Sequence, residues 1–129
     1  VVAVSLKTRV AQDRARLKAY SDELYRRLCE HPSISATMGD WGAVDRLPGL
    51  VSIAVRDLDS EELILQLDAR GFAVSAGSAC SSATNDASHV LTAMGLSKDR
   101  ALGALRISFD DRVDEGDLSP FADALLGLL

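Results

Sequence analysis

Residues 50–55 read LVSIAV and residues 104–109 read ALRISF, and how these two stretches are read decides the fold. The first is rich in β-branched residues and holds no glycine or proline, which predicts a strand. The second alternates. Leu105, Ile107 and Phe109 fall on one side and Arg106 and Ser108 on the other, the period of a strand with one covered face. Two weaker strands are expected around them, a short one at Ile34 to Thr37 and another at Phe72 to Ser75.

Helical patterns separate these strands. From Thr8 to Glu30, Val10, Leu17, Tyr20, Leu24 and Leu28 share one face, Arg14, Lys18, Asp22 and Arg26 lie on others, and Pro32 ends the run. Asp59, with Glu62 three residues on, opens a second helix in the manner of a capping box. That helix runs through Leu63, Ile64 and Leu67 to a stop at Gly71. Asp86 is the expected cap of a short helix that turns Val90, Leu91 and Met94 inward and stops at Gly95. Ser97 caps another short helix to Leu102. Ser119 and Pro120 read as N-cap and first residue of a final helix carrying Phe121, Leu125 and Leu128. This order predicts an α+β two-layer sandwich: a small, mostly antiparallel sheet with helices packed on one face.

Composition limits the partners. The 129 residues suffice for one domain, expected to span 1–129. The net charge of −5 and the 5% aromatic content argue against nucleic acid as a partner. No apolar run is long enough to span a membrane. Two cysteines and two histidines lie at separations unrelated to metal-ligand spacing. Two cysteines without a signal-peptide pattern predict free thiols in a reducing, cytoplasmic setting, although a Cys29–Cys80 disulfide stays possible on sequence alone.

The chemistry-bearing stretch is GFAVSAGSACSSATND, residues 71–86. It sets Cys80 in a run of Gly, Ser and Ala with neither helix nor strand period, the composition of an exposed loop. A lone cysteine is more often a small buried hydrophobe than a nucleophile, but few apolar neighbours surround this one in sequence. Arg106 also reads two ways: as an ordinary solvent-facing strand residue, or as a guanidinium fork held on a rigid strand for a carboxylate.

In combination, RLPGLVSIAV (46–55), EELILQLDARGFAVSAGSACSSA (61–83), SHVLTAMGL (88–96) and ALRISF (104–109) closely resemble the C-terminal small domain of NifS/IscS-like cysteine desulfurases. These are fold-type I pyridoxal-phosphate enzymes of the aminotransferase class V family. Their Ser-Gly-Ser-Ala-Cys loop reads Ala76-Gly77-Ser78-Ala79-Cys80 here. The resemblance covers roughly residues 13–127. It implies a parent enzyme that converts L-cysteine to L-alanine, with the sulfur carried as a persulfide on Cys80 toward iron–sulfur cluster or thio-cofactor synthesis. It further implies that Arg106 binds the substrate carboxylate, that an iron–sulfur scaffold or similar protein accepts the sulfur, and that the parent is a homodimer.

The sequence also departs from that pattern. The Schiff-base lysine in its Ser-x-His-Lys setting, the phosphate-binding turn and the carboxylate that pairs the pyridine nitrogen are not found. Lys7, Lys18 and Lys98 lie in no such context, and Asp110-Asp111 stand where a glycine and a basic residue usually follow. His89 matches no family histidine and is given no role. The expectation is a small-domain piece that binds no pyridoxal phosphate and is inactive alone, its large domain lying upstream. A free-standing module carrying persulfide on Cys80 is the alternative.

Overall fold

The computed structural model describes residues 2–77 and 87–129, with side chains from residue 9 onward. Its elements run α1 (Val2–Cys29), β1 (Ile34–Ala36), β2 (Leu50–Val55), α2 (Ser60–Asp68), β3 (Ser75–Ala76), α3 (His89–Ala93), α4 (Lys98–Leu102), β4 (Ala104–Ser108) and α5 (Glu115–Leu126). The four strands form one antiparallel sheet in the order β1-β2-β4-β3. The two stretches that opened the reading are its central pair, joined from Leu50 opposite Ser108 to Ala54 opposite Ala104.

Strand alternation sorts the two faces. Val51, Ile53 and Val55 of β2 and Leu105 and Ile107 of β4 point to one side and are buried. They meet Leu24, Tyr25 and Leu28 of α1, Leu63 and Leu67 of α2, and Phe121, Ala122 and Leu125 of α5 in one apolar core. Each such side chain contributes about 1.5–3 kcal/mol by leaving water, so this layer dominates stability. Among the described residues, only one end of the opposite face is covered. There Leu91 of α3, Ala101 of α4 and Ala104 of β4 make a small satellite cluster. The rest of that face, with Ser52 and Arg106, carries no described helix.

Several boundaries differ from expectation. Helix α1 begins at Val2 rather than Thr8. Its buried stripe is Ser21, Leu24, Tyr25 and Leu28, while Val10 is 63% exposed. Ser21 tolerates burial because its hydroxyl donates to the Leu17 carbonyl and accepts the Gly49 amide at 2.9 Å. Gly49 is needed at this turn: φ is +80°, and a Cβ would sit 2.4 Å from the Phe109 carbonyl oxygen.

The expected strand at Phe72 to Ser75 shrinks to Ser75–Ala76. The chain leaves α2 through Gly71 in a left-handed turn, with the Phe72 amide bonded back to the Leu67 carbonyl at 3.0 Å. Phe72 then packs edge-on against Phe121 instead of joining the ladder. Asp59 does cap α2, accepting the Glu61 amide at 2.7 Å, but Glu62 bonds Gln66 rather than completing a capping box. In α3 only Leu91 is buried; Val90 and Met94 are 54% and 53% exposed. The helix is too short to present a full stripe. The expected cap Asp86 lies outside the described residues, and Ser88 accepts the Leu91 amide. Ser97 caps α4 as read. Helix α5 starts at Glu115, capped by Asp114 in a capping box with Asp117, so Pro120 lies inside the helix rather than at its first position. As the sixth helical residue, Pro120 lies beyond the first-turn amides that lack partners, so it costs the helix one i→i−4 hydrogen bond.

Candidate functional site

Arg106 stands at the centre of the uncovered sheet face. In register it lies between Ser52 of β2 and Ser75 of β3. Residues directly opposite in antiparallel strands point to the same side, so these three side chains share the face. Arg106 is exposed, and no carboxylate among the described residues pairs with it. Other arginines are engaged: Arg26 with Glu23 and Glu30, Arg27 with Asp123, Arg112 with Asp110. Its guanidinium therefore has no described anion partner, on a strand whose backbone is fixed from both sides.

The β2 side of this site is anchored from beneath. Strand β1 ends at Ala36, one residue short of covering Ser52. The buried Tyr25 hydroxyl takes over: it accepts the Ser52 amide at 2.8 Å and lies 3.4 Å from the Ser52 carbonyl oxygen. Thr37 adds its amide to that carbonyl at 3.1 Å and its hydroxyl to Ser52 Oγ at 2.9 Å.

Tyr25 is itself clamped. Its ring stacks on Trp41 with centroids 5.4 Å apart and planes 8° from parallel. The Arg46 guanidinium lies 5.0 Å from the Tyr25 centroid and 5.4 Å from that of Trp41, a paired cation–π contact. Arg46, whose side chain is 7% exposed, also donates to the Trp41 carbonyl and pairs with Asp22. Partial burial pushes the Asp22 carboxyl upward. The hydrogen bonds from Lys18 and Arg46 outweigh it, leaving the group below its ordinary 3.8. Burial holds the Tyr25 phenol above its ordinary 10.0, so it is neutral and able to donate and accept.

Cys80 lies outside the described residues. The two ends of its segment do not. The Gly77 amide donates to the Ala104 carbonyl at 3.0 Å. A Cβ on Gly77 would come within 2.9 Å of both the Ala104 Cβ and Leu91 Cδ1, so close approach forces glycine here. On the far side, Ala87 packs on the same cluster of Leu91, Ala101 and Ala104. Both ends of segment 78–86 are therefore fixed at one patch, two residues along β4 from Arg106. Cys29 is a free thiol, half-buried, and burial raises its pKa above the ordinary 9.0.

Among the described side chains, neither lysine offers a Schiff-base setting for pyridoxal phosphate: Lys18 is exposed on α1 and tied to Asp22 at 2.7 Å, and Lys98 is the exposed first residue of α4. No group of acidic, histidine or cysteine side chains among the described residues could hold a metal ion. No described helix is long and apolar enough to cross a membrane.

The family model for "Aminotransferase class-V" matches residues 2–121. The chain belongs to the aminotransferase class-V family. Within that family it is 30% identical over 129 residues to a cysteine desulfurase of Gluconacetobacter diazotrophicus, covering all of this chain and 32% of that protein. The fold matches a NifS-like protein from Rickettsia africae at a TM-score of 0.76 and 24% identity, over 92% of this chain and 29% of that one. It also matches, at a TM-score of 0.58 and 16% identity, a C-DES mutant with glycine covalently linked to its PLP cofactor, over 95% of this chain and 26% of that one. This class-V chain thus spans about a third of the length of the desulfurase it matches, and the α+β sandwich is the fold of the NifS-like structures.

The sequence pointed to Arg106 and to the face it occupies. It missed Ser52, Thr37, Tyr25 and Arg46. The alternation in LVSIAV was available to put Ser52 on the face opposite Val51 and Ile53. Nothing local in the sequence signals that Tyr25, thirteen residues after the exposed Gln12 and deep in α1, stands in for the missing end of β1.

Proposed function

We propose that this chain is the small-domain part of a pyridoxal-phosphate-dependent cysteine desulfurase, in which Arg106 binds the carboxylate of L-cysteine and Cys80 receives its sulfur as a persulfide. The single observation that carries the reading is Arg106: an exposed guanidinium with no carboxylate partner among the described residues, on the sheet face that no described long helix covers. Its chemistry suits an amino-acid carboxylate, and the class-V relatives are cysteine desulfurases.

Cys80 supports the same reading through its tether. Gly77, three residues before Cys80 in sequence, is hydrogen-bonded to β4 two residues from Arg106. A persulfide carrier needs such a tether, because its sulfur must leave the substrate site to meet an acceptor such as an iron–sulfur scaffold. The cofactor is held by parts of the parent protein outside this chain, in a large domain upstream, and the parent acts as a homodimer in the cytoplasm. The free-standing sulfur-carrier alternative is not favoured, because the similar proteins are desulfurases.

Alanine release from L-cysteine tests the reading. In the full-length parent, Arg106→Ala raises KM for cysteine at least tenfold, and Cys80→Ser abolishes persulfide formation. The 129-residue chain with added pyridoxal phosphate gives no turnover. An unchanged KM in Arg106→Ala, or sustained alanine release by the chain alone, overturns it.

A further inference from the structure

The sequence pattern turns Val90 and Met94 inward, yet both are more than half exposed on α3. The Met94 amide donates to the Val90 carbonyl at 3.0 Å, and residues four apart share one side of a helix. Single exposed apolar side chains need no explanation. This pair, however, leads into a cavity of about 360 Å³ between the α3–α4 turn, with Met94 and Leu96, and the exit of β1, with Thr37 and Met38. Ser35 and Arg100 also line it.

Arg100 supplies the charge. Its guanidinium, exposed on α4, donates to Ser35 Oγ. No carboxylate among the described residues pairs with it, Asp99 beside it on α4 included. The Ser35 hydroxyl accepts the Arg100 bond and has no acceptor for its own proton among the described residues. In a chain of net charge −5, this is a basic spot at the foot of an apolar strip. It is separate from Arg106. Ser35 stands opposite Ala54, and Ala54 opposite Ala104, so Ser35 and Arg106 lie two strands and one same-face step apart, about 12 Å.

We infer that the cavity and the α3 strip form a docking surface for a segment of a partner protein that carries an aspartate or glutamate beside aliphatic side chains. The carboxylate pairs with the Arg100 guanidinium and accepts the Ser35 proton. The aliphatic groups cover Val90, Met94 and Leu96. A small free anion would satisfy Arg100 but leave the α3 strip exposed, so a protein segment fits the surface better. The guanidinium also sets which partner is accepted, because a lysine brought to the same place is repelled. The inference stands independently of the reading of Arg106.

The test uses the full-length parent and two blocked peptides, acetyl-Ile-Glu-Leu-Asp-Leu-amide and acetyl-Ile-Lys-Leu-Lys-Leu-amide, each carrying a fluorophore read by anisotropy. The acidic peptide binds about tenfold tighter than the lysine peptide, although the net charge of this chain favours the reverse. Arg100→Glu inverts that order and Arg100→Gln abolishes the preference. Met94→Ser weakens the acidic peptide about fivefold. All three variants keep the unfolding midpoint within about 2 °C of the parent. An excess of L-alanine, a ligand for the Arg106 site, does not displace the peptide. Equal binding of the two peptides, an acid preference that survives Arg100→Gln, or displacement by L-alanine overturns the inference. So does binding to the 129-residue chain but not to the parent, which makes the occupant a part of the parent itself. A changed oligomeric state in Arg100→Glu, which makes it a second copy, and equally tight binding of N-acetyl-aspartate amide, which makes this a small-anion site, overturn it as well.

Discussion

Replacing Tyr25 by Phe removes one oxygen atom and leaves the ring, so it isolates what that oxygen does for β2. The ring keeps its contacts with Trp41 and Arg46, its centroid 5.4 Å from that of the first and 5.0 Å from the guanidinium of the second. What disappears is the acceptor for the Ser52 amide at 2.8 Å. Strand β1 pairs only as far as Ala36 with Ile53, so no strand carbonyl can replace it. The Ser52 carbonyl keeps Thr37 as a donor. One amide is thus left unpaired, under a residue with no exposed surface, and such a group costs about 1–3 kcal/mol. Taking about 2 kcal/mol, and roughly 4 °C per kcal/mol for a chain of this length, the midpoint of thermal unfolding falls by about 8 °C. The one tryptophan of the chain, Trp41, is stacked on the altered ring, so its near-ultraviolet circular dichroism follows the transition directly. Amide hydrogen exchange supplies the local readout: the Ser52 amide loses protection while Ile53 keeps its own. A midpoint within 2 °C of the parent, with Ser52 still protected, would refute the claim that the phenol closes the end of the ladder.

Other consequences follow from the same geometry. Gly103→Ala keeps an allowed backbone conformation but drives a Cβ to 2.0 Å from the Val55 carbonyl oxygen and 2.8 Å from that of Leu58. Overpacking against backbone predicts a loss of about 3 kcal/mol in a urea titration, and a loss under 1 kcal/mol would contradict the close approach of the α4–β4 turn to β2. Asp22→Asn leaves the nearly buried Arg46 without its carboxylate. Because Asp22 is about a third exposed the cost is roughly 1 kcal/mol, closer to a screened pair than to a buried one. The pH dependence has a definite sign. The folded-state pKa of Asp22 lies below 3.8, so its contribution is complete above that pH and fades as pH falls further through the folded value. The Asn variant flattens that acid limb. At the other end, the raised Tyr25 pKa makes its contribution complete below pH 10.0 and lost as pH rises through the folded value, a limb absent from Tyr25→Phe.

What sequence could and could not reveal divides along a physical line. The central strands were legible because β-branched content without a breaker in β2 and alternation in β4 are properties of five or six adjacent residues. Arg106 was legible for the same reason. The caps at Asp59 and Ser97 depend on contacts two or three residues away and were also readable. The burial of Tyr25 was not, because Tyr20 and Tyr25 both fit a helical stripe and only the sheet beneath decides which is covered. Arg46 was not legible either, since nothing adjacent in sequence announces the two rings its charge lies against. Pro120 misled for a related reason: proline suits a first helical position, but Asp114 with Asp117 supplies a stronger start six residues earlier.

The shared clamp at Gly77 and Ala87 has a practical corollary for anyone altering this protein. Extra residues spliced in between those two positions would enlarge the segment bearing Cys80 without shifting how β3 meets β4, because neither attachment point moves. A single residue added just ahead of Gly77 would slide Ser75 past Arg106 and turn the small strand inside out.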